Sequence, residues 1–136
     1  MKLQIFTDGG SKGNPGPAAI GIVCYDPNRH ELFRYRKDIG IATNNVAEYT
    51  AVITALEMVR ERMQSLPEAL ERVDFYSDSQ LLVKQLNGEY KVKKGHIQEF
   101  VLKIRLLEAD VNVPIYFHYI PRAQNKLADA LVNDKA

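Results

Sequence analysis

Apolar and polar residues alternate along Lys2-Leu3-Gln4-Ile5-Phe6-Thr7, a period of two that predicts a β-strand at about 2–8 with one buried face. A second strand is expected at 18–25, where Ala18-Ala19-Ile20-Gly21-Ile22-Val23-Cys24-Tyr25 is apolar almost throughout, and a third at 31–39. The glycine-rich stretch Gly9-Gly10-Ser11-Lys12-Gly13-Asn14-Pro15-Gly16 reads as a loop and Asp26-Pro27-Asn28-Arg29 as a turn, and connections this short imply an antiparallel meander. From Asn44 to Met63 the period changes. Tyr49, Val52, Leu56, Val59 and Met63 recur at three- and four-residue spacing, which predicts a helix with Thr43 or Asn44 as its cap and a break at Pro67. A fourth strand at 72–77 feeds a helix from Ser79 to Leu86, followed by a loop from Asn87 to Gly95 and a helix from His96 to Ala109. The last strand, Pro114 to Ile120, is stopped by Pro121, and a short helix covers Gln124 to Asn133.

Three strands in a meander followed by strands alternating with helices predict an α/β fold. Its sheet has five strands and is mixed, with the first three antiparallel, the later ones parallel through helical crossovers, and helices on its flanks. Sites in such sheets form beyond the carboxyl ends of the strands. Asp8 ends the first strand and Asp78 follows the fourth, so parallel strands ending side by side bring these two acids together.

Composition narrows the possibilities. A chain of 136 residues fits one domain, 1–136, able to bury roughly two thirds of its unfolded surface. Net charge is +1, from 18 Lys and Arg against 17 Asp and Glu, so any nucleic-acid binding needs a local basic patch. The single cysteine, Cys24, lies in an apolar run and reads as a buried thiol, which removes disulfide scaffolds and cysteine zinc sites. No segment reads as a signal peptide, and none approaches the ~20 apolar residues needed to span a bilayer. A soluble, cytoplasmic, monomeric protein with no membrane partner is the expectation.

Two further acids join Asp8 and Asp78. On a helical wheel Glu48 lies within about 40° of Val52, Ala55 and Val59, so it faces the sheet, where a lone carboxylate suffers desolvation unless it is paired or metal-bound. Asp129 projects opposite Leu127 and Leu131 and fits an exposed surface acid better by pattern. Each of the others also has an ordinary reading: Asp8 as a turn initiator, Asp78 as a helix N-cap, Glu48 as a first-turn acid favoured by the helix dipole. Gathered together, the four would suit Mg²⁺, which takes a few carboxylate oxygens and leaves positions for water and phosphate. Two ions about 4 Å apart could then activate a water and steady a leaving oxygen. Without metal such acids repel one another, so the site should be partly protonated and the protein stabilised by divalent cation.

Four co-linear motifs carry a resemblance that spacing alone does not supply. They are Thr7-Asp8-Gly9-Gly10-Ser11 with Gly13-Asn14-Pro15-Gly16-Pro17, then Thr43-Asn44-Asn45-Val46-Ala47-Glu48, then Ser77-Asp78-Ser79-Gln80, and finally Gln124-Asn125-Lys126-Leu127-Ala128-Asp129. Over essentially its whole length the chain resembles a type 1 ribonuclease H, in the compact form of the archaeal-type branch. The resemblance implies the ribonuclease H-like fold, with Asp8, Glu48, Asp78 and Asp129 as catalytic acids and metal ligands. It implies two Mg²⁺ ions, with Mn²⁺ as a substitute, and cleavage of the RNA strand of RNA/DNA hybrids to 5′-phosphate and 3′-hydroxyl ends. Some members of that branch also cut double-stranded RNA.

Under that likeness Gly9, Gly10 and Ser11 let a sugar-phosphate backbone approach closely and offer peptide groups to 2′-hydroxyls, while Asn14, Asn45 and Gln80 read 2′-hydroxyls with uncharged amides. Thr43 is similar to a residue that holds a phosphate of the DNA strand. Two departures stand out. The loop histidine that many relatives carry before the last acid is missing from Pro121-Arg122-Ala123-Gln124, where Arg122 would take part of its role as a permanent cation but not as a base. His30, His96 and His118 read as structural or turn residues. There is also no tryptophan-bearing basic protrusion, only Lys84, Lys91, Lys93 and Lys94 with Tyr90. A non-catalytic nucleic-acid-binding module on the same fold is the main rival reading, and a free-standing enzyme is expected over a detached reverse-transcriptase domain.

Overall fold

The computed structural model describes residues 1–136 as one five-stranded sheet with helices on both faces. Its strands are β1 (Lys2–Ser11), β2 (Gly16–Tyr25), β3 (Glu31–Ala42), β4 (Arg72–Ser77) and β5 (Ile115–Tyr119), in the order β3-β2-β1-β4-β5. The first three pair antiparallel, and β1, β4 and β5 run parallel. This is the sheet that the alternation of patterns predicts. Its four helices are α1 (Asn44–Arg62), α2 (Gln80–Leu86), α3 (Gly95–Val111) and α4 (Lys126–Val132).

Side chains fix the starts of two helices, α1 and α2. The Thr43 hydroxyl accepts the Val46 N–H at 3.2 Å, and the Ser79 hydroxyl accepts the Leu82 N–H at 3.2 Å. Ser79, and not Asp78, therefore caps α2, which leaves the Asp78 carboxylate free of that duty. Helix α3 ends on Asn112 in the left-handed conformation, a common stop for a helix. The last helix, expected from Gln124 to Asn133, is shorter: a 3₁₀ turn at Arg122–Gln124 precedes α4, with Asn125 between them.

One core lies between the sheet and α1, α2 and α3. Leu3, Ile5, Ile20, Ile22, Cys24, Val73, Phe75 and Phe117 meet Tyr49, Val52, Leu56 and Val59 of α1, backed by Leu82, Ile97 and Ile104. Helix α1 is buried over a wider arc than its periodicity suggests, including Ala51, Ile53 and Ala55, because α3 packs on its far side. The other sheet face is shared. Helix α4 covers the β2 side, while Phe6, Tyr76 and His118 form a stacked row across β1, β4 and β5, with centroids 4.9 and 5.0 Å apart. His118 is structural, as expected: its Nε2 lies 2.7 Å from Asp74, which also accepts two bonds from Arg72.

No helix is long and apolar enough to cross a membrane. Phe75 stacks on Phe117 at 5.3 Å and is essentially sealed from solvent, so Phe75→Ala should cost about 3–5 kcal/mol of stability. Urea denaturation with an unchanged slope checks this; a loss below about 1 kcal/mol would show that the core closes over the gap.

Candidate active site

Strand β1 does not stop at Asp8. It continues to Ser11, pairing Gly9 with Ile20, Gly10 with Ala19 and Ser11 with Ala18, so the expected loop begins only at Lys12. Glycines rarely prolong a strand unaided, and here the partner strand β2 supplies the pairing that the sequence of β1 does not advertise. Asp8 consequently sits within the ladder, opposite Gly21, and is only 7% exposed. The β1–β4 pairing ends at Phe6 and Tyr76, two residues before Asp8 and Asp78, so both acids lie where the two parallel strands part.

All four predicted acids line one open cleft of about 570 Å³, together with Gly9, Gly10, Ser11, Asn44, Arg122 and Asn133. Asp8 comes from β1, Glu48 from the second turn of α1, Asp78 from the β4–α2 junction and Asp129 from α4. Asp129 is thus not a detached surface acid. Its carboxylate is 31% exposed, accepts from Arg122 at 3.3 Å and is flanked by the Asn133 amide at 3.4 Å.

Burial and crowding drive the Asp8, Glu48 and Asp78 carboxyls toward their neutral form. Asp8 is pushed up to about 8, first by desolvation, then by the charges of Asp78, Asp129 and Glu48, against one backbone N–H at Gly9. Glu48 rises to about 7 through desolvation, with the Ser79 hydroxyl pulling it down and Asp78 pushing it up. Asp78 is also raised by desolvation, offset mainly by the Arg122 guanidinium. No three ligand-type side chains converge closely enough to cage an ion by themselves. The donors instead form an open, oxygen-only set that fits a hard divalent ion retaining waters and sharing substrate phosphate.

Two of the expected substrate-facing residues, Asn14 and Ser11, are engaged with Asn44, which was not among them. Asn14 and Asn44 bind the loop to the start of α1: Asn14 Oδ1 accepts the Asn44 N–H at 3.0 Å, and Asn44 Oδ1 accepts the Ser11 N–H at 2.9 Å. The Ser11 amide is therefore already engaged. Asn45 carries a buried Oδ1 with no protein partner, and Gln80 is exposed at the start of α2. The smallness of Gly9 and Gly10 serves the protein's own packing. A Cβ on Gly9 would lie 2.3 Å from the Ala47 carbonyl carbon, and one on Gly10 would lie 3.2 Å from Val132, so neither vacancy opens toward a substrate.

Lys12, Arg36 and Asn133 also line the cleft wall, and the Ser79 hydroxyl lies beside Glu48, although none is among the expected site residues. Arg36 carries no signal within an edge strand, whereas Ser79 follows Asp78 directly and is legible as a helix cap. The lysine group is looser: Lys84 lies 3.3 Å from the Tyr90 hydroxyl and over its ring, while Lys91, Lys93 and Lys94 are exposed.

The chain matches the family of reverse transcriptase-like domains over residues 6–135. The bifunctional protein Rv2228c of Mycobacterium tuberculosis is 36% identical over 98% of this chain, which spans 35% of that protein. Ribonuclease HI of Halobacterium salinarum is 35% identical over 98% of this chain, here spanning 63% of the relative. The crystal structure of LC11-RNase H1 in complex with RNA/DNA hybrid superposes with a TM-score of 0.89 at 41% identity, covering 97% of this chain and 94% of that one.

In metal-free solution the native state binds more protons at Asp8 and Glu48 than the unfolded chain from about pH 4 upward, so stability should fall as pH rises from 5 to 8. Asp8→Asn should remove most of that slope and stabilise the metal-free protein at pH 8, by a few kcal/mol in order of magnitude. Urea midpoints in EDTA at both pH values check it; a wild type equally stable at pH 5 and 8 would contradict the crowding.

Proposed function

The chain belongs to the type 1 ribonuclease H family, and from that membership we propose that it is a divalent-metal-dependent endonuclease cutting the RNA strand of RNA/DNA hybrids to 5′-phosphate and 3′-hydroxyl ends. The observation that carries this reading is the meeting of Asp8, Glu48, Asp78 and Asp129 from four separate elements in one cleft, with the charge of each of the other three raising Asp8. A surface designed only to bind a polyanion has no use for four carboxylates at its centre, since they repel phosphate.

In this reading the four acids hold Mg²⁺, or Mn²⁺ in its place, and two such ions would lower the pKa of the attacking water and neutralise charge on the leaving oxygen. The chain's own residues do the rest. Arg122 reaches Asp129 at 3.3 Å and lowers Asp78, so its cation is at the acid pair and free to swing to phosphate or leaving-group charge. It cannot take a proton from water, so this chain assigns no general base to the position where many relatives carry a histidine.

Recognition of RNA rests on uncharged groups. Gln80 is exposed and both donates and accepts at a 2′-hydroxyl, while Asn45, whose Oδ1 is sealed from solvent, has its amide N–H to offer there. Asn14 keeps its Nδ2 for the substrate, since only its Oδ1 is engaged by Asn44. The Thr43 hydroxyl accepts the Val46 N–H and still has a proton to donate to a DNA-strand phosphate. Gly9 and Gly10 offer peptide groups and not vacant space. With net charge +1 and a dispersed lysine group, hybrid binding is weak and falls with salt.

Cleavage of end-labelled RNA/DNA hybrid, double-stranded RNA, single-stranded RNA and duplex DNA, with Mg²⁺, Mn²⁺ or EDTA, tests the reading. Metal-dependent cutting of the hybrid's RNA strand is expected, and the double-stranded RNA lane sets the breadth. A hybrid that is bound but uncut under both metals would make the chain a binding module. Asp8→Asn and Glu48→Gln should each lower turnover by at least about 100-fold with the circular dichroism spectrum unchanged. Arg122→Ala should lower kcat by about tenfold and change KM for hybrid by less than about threefold. Full activity in Arg122→Ala would return that residue to the surface.

A further inference from the structure

We propose that Gly21 and Asn125, which have no chemistry of their own in the reaction, are positioning residues that hold Asp129 at working distance from Asp8 by seating α4 directly on the sheet backbone. The proposal rests on the reading of these acids as one site. Gly21 is the cross-strand partner of Asp8, and partners in an antiparallel pair point to the same face. A Cβ on Gly21 would lie 2.5 Å from the Ala128 carbonyl oxygen and 2.9 Å from the Leu131 Cβ. Helix α4 thus rests its own backbone on β2, and the residue in contact is the one before Asp129.

Asn125 fixes the other coordinate. Its Nδ2 donates to the Thr7 carbonyl at 2.9 Å across 118 positions of sequence, and its own carbonyl accepts the Asp129 N–H at 3.1 Å. One residue is therefore bonded to the peptide preceding Asp8 and to the amide of Asp129. Thr7 and Asn125 are each 1% exposed, so losing the bond leaves a buried carbonyl without its protein partner. At the far end Arg36 Nε donates to the Leu131 carbonyl at 2.8 Å.

A helix of seven residues has no positional stability of its own, so these contacts decide where it lies. The opposite face shows the same device. A Cβ on Gly9 would lie 2.5 Å from the Glu48 nitrogen, so the helices bearing Glu48 and Asp129 both touch bare strand backbone beside Asp8.

Gly21→Ala and Asn125→Ala test the proposal, with Gly95→Ala as control, since a Cβ at Gly95 meets nothing within 4 Å. The readouts are kcat and KM on hybrid with Mg²⁺, and, without substrate, the Mg²⁺ concentration that half-saturates the thermal shift. Both site variants should keep KM for hybrid within about twofold, lose kcat by roughly 10- to 100-fold, and need several-fold more Mg²⁺, because an ångström of misplacement is enough for such losses. Gly95→Ala should match the wild type. If activity per folded molecule and the Mg²⁺ midpoint are unchanged in both variants, the two residues are merely structural and the proposal is wrong. Should Gly21→Ala fail to fold, Asn125→Ala decides alone. If the wild type cuts no hybrid but the Mg²⁺ midpoint still moves in the variants, the functional reading fails and the positioning stands.

Discussion

Desolvation of the nearly buried Asp8, sharpened by the charges of the three other acids beside it, is the constraint on which the rest of this structure turns. A chain gains nothing in stability by setting Asp8, Glu48 and Asp78 beside one another and beside Asp129, since desolvation and like charge both disfavour the ionised forms of those three. The arrangement holds because it is imposed from outside the cleft. An apolar core clamps α1 and the sheet, Ser79 caps α2 where Asp78 could have, and α4 is fastened to β1 and β3 by Asn125 and Arg36.

The sheet supplies the geometry. Parallel pairing of β1 with β4 sets Asp8 and Asp78 two residues beyond the last ladder pair, where the strands diverge and a cleft opens. Antiparallel pairing with β2 puts Gly21 opposite Asp8, and its missing side chain admits the helix that carries Asp129. Arg122 is the one guanidinium set against the acid pair, close enough to offset Asp78 and too exposed to be locked to either carboxylate. Charge in the cleft is therefore tunable by what binds there, which is the property a phosphodiester-cleaving site needs.

Much of this was legible in the chain. Alternation in residues 2–7 and 72–77 and the three- and four-residue spacing from Tyr49 to Val59 located the elements, because one-sided burial leaves a period that local sequence must carry. The continuation of β1 through Gly9-Gly10-Ser11 was not, since pairing with β2 is a long-range fact that overrides glycine's weak strand preference. Glu48 could be placed from its helical wheel. Asp129 could not: its nearest apolar neighbours in sequence point elsewhere, and the contacts that seat α4, from Asn125 to Thr7, at Gly21 and from Arg36 to Leu131, are all long-range. At Gly9 and Gly10 the sequence reveals that a position is small but not which neighbour needs the room.

The most direct measurement is the titration of the Asp8 and Glu48 side-chain carboxyls by ¹³C NMR in EDTA, repeated with saturating Mg²⁺. Burial of Asp8 and Glu48, with the charges of neighbouring acids adding to it, predicts that both carboxyls titrate far above the usual carboxylate range, toward about 8 and about 7, and that Mg²⁺ at neutral pH releases protons as it binds. Ordinary carboxylate titration near pH 4 for both residues, with no proton release on adding Mg²⁺, would contradict the account at its root.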